Sequence, residues 1–198
     1  MAHHIYTTQA LIIEGTLTGE ANKSYLLFTK ELGMIRATAQ GVRLLKSKLR
    51  FSLQDFTYVS VSVVRGKEIW RITSARGLAH IYDIYKDLGR KELIVMLANV
   101  CALIKRLMPQ EEKHQELFEY LVEAFRYEYL PTISEDEIKS LECILVITIL
   151  RELGYFGHVP MLEPYDKVTI TPGILESAAH IRKRAYQEIN RALHETQL

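Results

Sequence analysis

The sequence has no uninterrupted hydrophobic run long enough to cross a membrane. A spanning helix needs roughly 18 or more consecutive apolar residues, and the longest apolar-rich run, CILVITIL at 143–150, is about half that length. The amino terminus, MAHHIYTTQA, also lacks the basic segment and apolar core that mark a secretory signal peptide. These absences predict a cytoplasmic protein.

Cysteine is scarce, because the chain has only Cys101 and Cys143. Both lie in apolar stretches with helical spacing, and neither belongs to a CxxC or Cys/His pattern that holds zinc. A free cysteine packs in a protein interior as a small hydrophobic residue. We therefore predict two buried, reduced thiols and no metal site.

Catalytic motifs are absent as well. The chain contains no phosphate-binding G-x-x-x-x-G-K-[ST], no zinc-protease H-E-x-x-H and no hydrolase G-x-S-x-G. Its seven histidines are scattered, and the acidic residues of 111–123 fit the exposed face of a helix. The sequence therefore predicts a protein that is not an enzyme and that needs no cofactor.

Positive and negative charges are unevenly distributed along the chain, although its net charge is only +1. Residues 1–77 contain 11 Lys and Arg against 5 Asp and Glu, a net charge of +6. Residues 78–198 contain 14 Lys and Arg against 19 Asp and Glu, a net charge of −5. A basic half joined to an acidic half indicates that the first half binds an anionic ligand.

Short strands are predicted throughout the basic half. The candidate strands are rich in β-branched residues and are separated by turns; they are 7–17, 24–29, 34–42, 56–64 and 68–75. In the third, Ile35, Ala37 and Ala39 alternate with polar residues, as in a half-buried strand. Five strands in so short a segment favour a closed oligonucleotide/oligosaccharide-binding barrel (OB-fold), whereas an open sheet would leave its edges to be covered.

Helical spacing replaces this alternation after residue 77. Candidate helices are 78–88, 91–108, 111–129, one that follows a capping box of Ser134 and Glu137 and stops at Gly154, and one that opens at Thr171 and Pro172. The predicted fold class is α+β, β then α. It comprises an N-terminal five-stranded OB-fold barrel over residues 1–77, followed by an all-helical C-terminal domain over residues 78–198.

The stretch GVRLLKSKLR at 41–50 is the most unbalanced part of the basic half, since no acid lies between Glu31 and Asp55. Such a run can be a solvated loop, but small barrels bind single strands in basic grooves that carry stacking aromatics. The candidate nucleic-acid-binding residues are Arg36, Arg43, Lys46, Lys48, Arg50, Arg65, Lys67 and Arg71, with Tyr58 and Trp70 as candidate exposed stackers.

The order of these motifs resembles the amino-terminal half of the bacterial recombination mediator family RecO. The resemblance covers residues 5–77 most strongly. Matching positions are Phe28-Thr29, Gly33, Ala39, Gly41, Arg43, Ser47, Leu49, Leu53, Phe56 and Thr73-Ser74-Ala75. It implies a DNA repair and homologous recombination mediator that binds single- and double-stranded DNA and anneals complementary strands. It also implies partnership with RecR, with the tail of single-strand-binding protein and, indirectly, with RecA, near the nucleoid.

Many members of this family carry a four-cysteine zinc module where this chain has the segment 154–173, which contains no cysteine. We therefore expect no zinc module here. The acidic helical half is expected to contact protein partners. Its last helix is an exception, because it has a secondary basic face of Arg182, Lys183, Arg184 and Arg191.

Two other functions also fit the sequence. A protein-interaction adaptor would bind a partner through the helical half and show no salt-dependent affinity for DNA. An RNA-binding OB-fold module would have the same basic barrel, and the sequence does not distinguish it from a DNA-binding one.

Overall fold

The computed structural model describes residues 4–67 and 69–195 of the chain. The strands are β1 (Ile5–Thr18), β2 (Asn22–Thr29), β3 (Gly33–Ala39), β4 (Thr57–Arg65) and β5 (Trp70–His80). The helices are α1 (Leu49–Ser52), α2 (Ile81–Asp87), α3 (Lys91–Leu107), α4 (Gln115–Phe125), α5 (Glu135–Glu152), a 3₁₀ helix (Pro160–Tyr165) and α6 (Pro172–Glu195). The predicted α+β class, with strands first and helices after, is confirmed.

The strand pairings close a ring in the order β1-β2-β3-β5-β4. All neighbours in the ring are antiparallel except β3 and β5, which run parallel where Ala37 lies beside Trp70 and Thr38 beside Arg71. β1 bonds to both β2 and β4, so it closes the barrel. Five strands in this arrangement form the predicted OB-fold.

Alternate residues of each strand fill the barrel interior. On β3, Ile35, Ala37 and Ala39 are buried while Arg36 is exposed, which confirms the alternation predicted from the sequence. On β4, Val59, Val61 and Val63 point inward in the same way. The side chains that fill the interior include Tyr25, Leu27, Val42, Leu53, Val59, Val61, Val63, Trp70 and Ile72.

A second buried layer covers the outer face of the barrel. Phe28 of β2 and Tyr58 of β4 both contact Phe118 of α4, with ring centroids 5.3 and 6.3 Å apart. The chain leading to α4 runs beside β3, where the amide of Glu111 donates to the carbonyl of Met34 at 2.9 Å. This segment therefore packs with the barrel although it lies far along the chain.

The chain divides into two compact units, and their limits differ from the predicted boundary at residue 77. The first unit contains the described residues up to Asp87 together with Met108–Val122, and the second contains Leu88–Leu107 and the described residues from Glu123 onward. β5 continues through His80 because that residue pairs with Thr57, so the helix predicted from residue 78 begins at Ile81. The helix predicted over 111–129 is likewise shortened to α4, because the residues before α4 are held against β3.

The second unit is built on α5, whose capping box is present as predicted. The Ser134 hydroxyl accepts from the Glu137 amide, and the Glu137 carboxylate accepts from the Ser134 amide. Gly154 follows the helix with a φ of 75°, the conformation that ends a helix at glycine. Both cysteines are buried free thiols, as predicted, and burial raises the pKa of Cys143 to about 12.

Candidate nucleic-acid interface

The basic stretch forms most of the connection between β3 and β4. Val42 and Leu53 are 2% exposed and belong to the barrel core, so they anchor the connection at both ends. Between them the chain makes turns and the short helix α1, and its cations extend into solvent. Lys46, Lys48 and Arg50 are exposed, and they take part in none of the ion pairs found among the described residues.

Arg43 differs from the other cations of this connection, because its guanidinium is held by backbone. Its Nη1 donates to the carbonyl of Glu20 at 2.6 Å and to that of Gly19 at 3.2 Å. Its amide donates to the carbonyl of Ala21 at 3.0 Å. Arg43 thus ties the β3–β4 connection to the β1–β2 turn, and it positions the neighbouring cations.

A cavity of about 670 Å³ lies beside this connection, within the first unit. We call it the Asp55 cavity. It is lined by Lys23, Tyr25, Val42, Arg43, Arg50, Leu53, Gln54, Asp55, Phe56 and Tyr82. Arg43 and Arg50 are predicted site residues, whereas Lys23 was missed because it stands alone at the start of β2. The cavity therefore combines three cations, one carboxylate and aromatic walls.

A second, smaller cavity of about 410 Å³ lies at the turn between β4 and β5. It brings together the predicted cations Arg65, Lys67 and Arg71, all of which are exposed. Thr38 and Gln40 of the β3 side complete the polar wall. Because Arg71 is in register with Thr38, and Arg36 is two residues before Thr38, Arg36 and Arg71 lie on one outer face.

Glu111 occupies one side of this second group of cations. One of its carboxylate oxygens accepts from Arg65 Nη1 at 2.6 Å, and the other accepts from the Trp70 indole Nε1 at 3.0 Å. The Arg65 guanidinium also lies 5.0 Å from the Trp70 ring centroid. Hydrogen bonds from Arg65 and then Trp70 hold the pKa of Glu111 below its ordinary value.

The prediction that Tyr58 and Trp70 are exposed stackers is wrong. Trp70 is 5% exposed within the barrel core, and Tyr6 covers it edge-on at 5.4 Å. Tyr58 is 8% exposed under Phe118, and its hydroxyl donates to Gln9 Oε1 at 2.8 Å. Trp70 alternates with Arg71 and lies on the inward face of β5 with Ile72, whereas the burial of Tyr58 comes from α4, which is distant in sequence.

Two other aromatic residues are exposed instead. Phe51 of α1 is 73% exposed and directly follows Arg50, and Tyr82 of α2 is 39% exposed on the wall of the Asp55 cavity. An aromatic ring beside exposed cations can stack on a nucleobase while the cations contact phosphates. The sequence signal for Phe51 was its place directly after the basic stretch.

The secondary basic face of α6 is only partly available. Arg182 is held by α5, since its Nη2 lies 2.5 Å from Asp136 Oδ1 and its Nη1 donates to the Asp136 carbonyl at 2.8 Å. This pairing is the main reason that the pKa of Asp136 is lowered. Lys183, Arg184 and Arg191 are exposed on the same helix.

Residues suited to hold a metal ion do not converge in the described part of the chain: no three His, Cys, Asp or Glu side chains come together there. Among the helices of residues 4–67 and 69–195, none has the length and apolar content to cross a membrane.

Comparisons with known proteins agree with this geometry. Residues 1–80 match the family model described as "Recombination protein O N terminal". DNA repair protein RecO of Dehalococcoides mccartyi strain CBDB1 is 32% identical over 154 residues, which are 77% of this chain and 57% of that protein. DNA repair protein RecO of Thermodesulfovibrio yellowstonii is 25% identical over 155 residues, 78% of this chain and 58% of that protein. The chain thus spans about half the length of the curated relatives that it matches. By its amino-terminal match and these relatives, the chain belongs to the RecO family.

Proposed function

We propose that this chain is a DNA repair and recombination mediator that binds single- and double-stranded DNA and anneals complementary strands. The observation that carries the proposal is the β3–β4 connection, which presents Lys46, Lys48 and Arg50 to solvent beside the exposed ring of Phe51. Cations of this kind contact phosphates of any sequence, and an aromatic ring stacks on any base. The surface is therefore suited to binding DNA without strong dependence on sequence.

Annealing needs no covalent step in this mechanism. Two complementary strands repel each other as polyanions, and lysine and arginine side chains screen that repulsion when both strands are bound. A strand held by its phosphates keeps its base edges open to pairing. The exposed connection provides the cations, and Phe51 provides a face on which an unpaired base can rest.

The remaining parts of the proposal concern partners. Names of the relatives place them in DNA repair, and within that role we propose that this chain acts with RecR on DNA coated by single-strand-binding protein, so that RecA can load. We place the protein at the nucleoid in the cytoplasm. Contacts with other proteins are proposed for the helical half, because residues 78–198 carry a net charge of −5, which disfavours contact with DNA.

An annealing assay tests the proposed activity. Two complementary oligonucleotides labelled as an energy-transfer pair are mixed with the protein, and the rate of transfer reports duplex formation. The loop variant Lys46→Ala, Lys48→Ala and Arg50→Ala should anneal much more slowly than the wild type. Arg43 is left unchanged because its replacement would also disturb the fold.

The matched control removes three exposed lysines elsewhere, in Lys91→Ala, Lys113→Ala and Lys139→Ala. It changes the net charge by the same amount and should retain annealing. Equal rates for the loop variant and the wild type would show that the connection is not the annealing surface. A wild type that binds RNA strands but not DNA strands would point instead to an RNA-binding module, and one that binds neither would point to an adaptor.

A further inference from the structure

We propose that the Asp55 cavity accepts one unpaired nucleobase and selects bases that carry an exocyclic amino group, with Asp55 as the hydrogen-bond acceptor. The proposal rests on the proposed function, because the base must belong to a bound single strand. It adds a base preference to a surface that would otherwise contact only phosphates and ring faces.

The Asp55 carboxylate is fixed in place at the cavity wall. The backbone amide of Gly15 donates to it, and this bond favours the charged form. A Cβ on Gly15 would lie 3.3 Å from Asp55 Oδ1 and 2.8 Å from Tyr25 Cε1. The absence of a side chain at residue 15 therefore lets the carboxylate and the tyrosine ring approach the β1 backbone together.

The backbone next to Asp55 adopts a conformation that side chains rarely take. Phe56 has a φ of 60°, in the left-handed region that is strained for a bulky residue. Its amide donates to the carbonyl of Ile12 at 2.8 Å, which holds the turn against β1. Strained backbone that the surroundings enforce is common at binding sites, because it aims a neighbouring side chain. Here the neighbour is Asp55, which lines the cavity.

The walls of the cavity suit an aromatic base. Tyr82 leaves 39% of its surface to solvent and Phe56 is partly exposed, so these two rings are open to a base, whereas Tyr25 is buried in the barrel core and only backs the cavity. The volume of about 670 Å³ is within the range of small-molecule sites and exceeds the needs of one base. Arg50 and the half-buried Lys23 line the same cavity, where they can contact the phosphates on either side of the base.

A carboxylate in this position disfavours the binding of a phosphate and favours the binding of an amino group. Asp55 is exposed at the cavity wall, where partial desolvation raises its pKa while the Lys23 ammonium and the Gly15 amide oppose that rise. Cytosine presents an N4 amino donor where thymine presents an O4 acceptor. An ionised carboxylate accepts from the first and repels the second.

The test compares binding of oligo(dC) and oligo(dT), two pyrimidine strands of equal length, on the order of 20 nucleotides, which covers a barrel site. Fluorescence anisotropy is measured in slightly alkaline buffer, where oligo(dC) stays unfolded. The wild type should bind oligo(dC) at least about 5-fold more tightly than oligo(dT). Asp55→Asn should remove the preference, because a side-chain amide can turn either its oxygen or its nitrogen toward the base.

Glu20→Gln is the matched control, since it removes one carboxylate from the nearby β1–β2 turn and leaves the backbone carbonyl that Arg43 uses. It should bind both strands slightly more tightly and keep the ratio between them. Tyr82→Ala should weaken binding of both strands. Circular dichroism checks that each variant is folded.

The outcomes separate the two proposals. Equal affinity of the wild type for oligo(dC) and oligo(dT) would overturn the base preference and leave the proposed function standing. A preference that survives in Asp55→Asn would remove Asp55 as its source and overturn the inference in the same way. No binding of either strand would overturn both proposals.

Discussion

At the residue scale, Phe51 extends from the β3–β4 connection with 73% of its surface in contact with solvent. Its ring lies outside the barrel core, so Phe51→Ala should leave the free energy of unfolding nearly unchanged. If the ring stacks on a base, its loss should weaken single-stranded DNA binding by about 1–3 kcal/mol, whereas Phe51→Trp should retain it. Anisotropy titrations of the two variants check this, and unchanged affinity in Phe51→Ala would remove the ring from the interface.

If Arg65 belongs to the proposed DNA interface, Glu111 competes with DNA for it, because its carboxylate already lies 2.6 Å from the guanidinium. Glu111→Gln removes that negative charge while a side-chain oxygen remains to accept from the Trp70 indole. We expect this variant to bind single-stranded DNA several-fold more tightly, with a slope of log K against log salt steeper by about 0.7 for one added phosphate contact. Glu112→Gln, which changes a neighbouring exposed carboxylate, should raise the affinity less and keep the slope.

The same carboxylate should give the fold a pH-dependent contribution. The folded pKa of Glu111 lies below its ordinary value of 4.5, so its pairing stabilises the protein above that value and is lost as the pH falls through the folded pKa. The difference in unfolding free energy between the wild type and Glu111→Gln should therefore be present near neutral pH and shrink below about 4.5. Urea unfolding at several pH values measures it, and a difference that is independent of pH would contradict the pairing.

At the element scale, the close approach of the segment before α4 to β3 depends on Gly33. This residue has a φ of 68°, and a Cβ there would lie 1.9 Å from the carbonyl oxygen of Glu112. Gly33→Ala must therefore displace the segment as well as strain the backbone, and we expect it to destabilise the fold by roughly 2–4 kcal/mol.

Gly19 provides the matched control for this prediction. Its φ of 64° is nearly the same, but a Cβ there would meet nothing within 4 Å. Gly19→Ala should carry only the left-handed backbone cost, roughly 1 kcal/mol. Chemical denaturation of both variants isolates the contact with Glu112, and equal losses would show that the segment does not pack against β3.

The β3–β4 connection is exposed to solvent, yet it is held against the barrel at defined points. Val42 and Leu53 are buried at its two ends, and Arg43 bonds to the carbonyls of the β1–β2 turn. Between these anchors the side chains of Lys46, Lys48, Arg50 and Phe51 are exposed and can meet a ligand. A connection held in this way should lose little conformational freedom when it binds, which favours affinity.

At the scale of the whole molecule, basic and acidic residues are separated more clearly along the sequence than between the two compact units. Residues 1–77 carry +6, but the segment 108–122 brings four acids and one lysine to the barrel. Two of these acids pair with barrel cations, Glu111 with Arg65 and Glu119 with Lys30. The cations of the β3–β4 connection have no such acid among the described ion pairs, so they remain the main candidate surface for DNA.

Local pattern was sufficient to predict the barrel and the exposure of the cations in the basic stretch. The alternation of Ile35, Ala37 and Ala39 with polar residues gave the buried face of β3, and the absence of acids from 32 to 54 marked the exposed cations. Both properties are set by neighbours in sequence. The burial of Tyr58 was not predictable in this way, because the ring that covers it, Phe118, belongs to α4 and is distant in sequence.

The partners of the charged side chains could not be predicted from the sequence either. Arg182 stands in a basic run, yet Asp136, 46 residues earlier, holds its guanidinium. Arg43 also stands in a basic run, but backbone carbonyls of a turn occupy it. A lone Asp55 beyond the basic stretch gave no signal of a cavity, because the cavity is formed by β2, the β3–β4 connection and α2 together.

Salt dependence of single-stranded DNA binding is the most direct test of the central claim, that the β3–β4 connection contacts phosphates. If the wild type neutralises about four to five phosphates, log K should fall with log salt at a slope of about −3 to −3.5. The variant Lys46→Ala, Lys48→Ala and Arg50→Ala should bind more weakly and show a slope shallower by about 2. An unchanged affinity and slope in that variant would contradict the account.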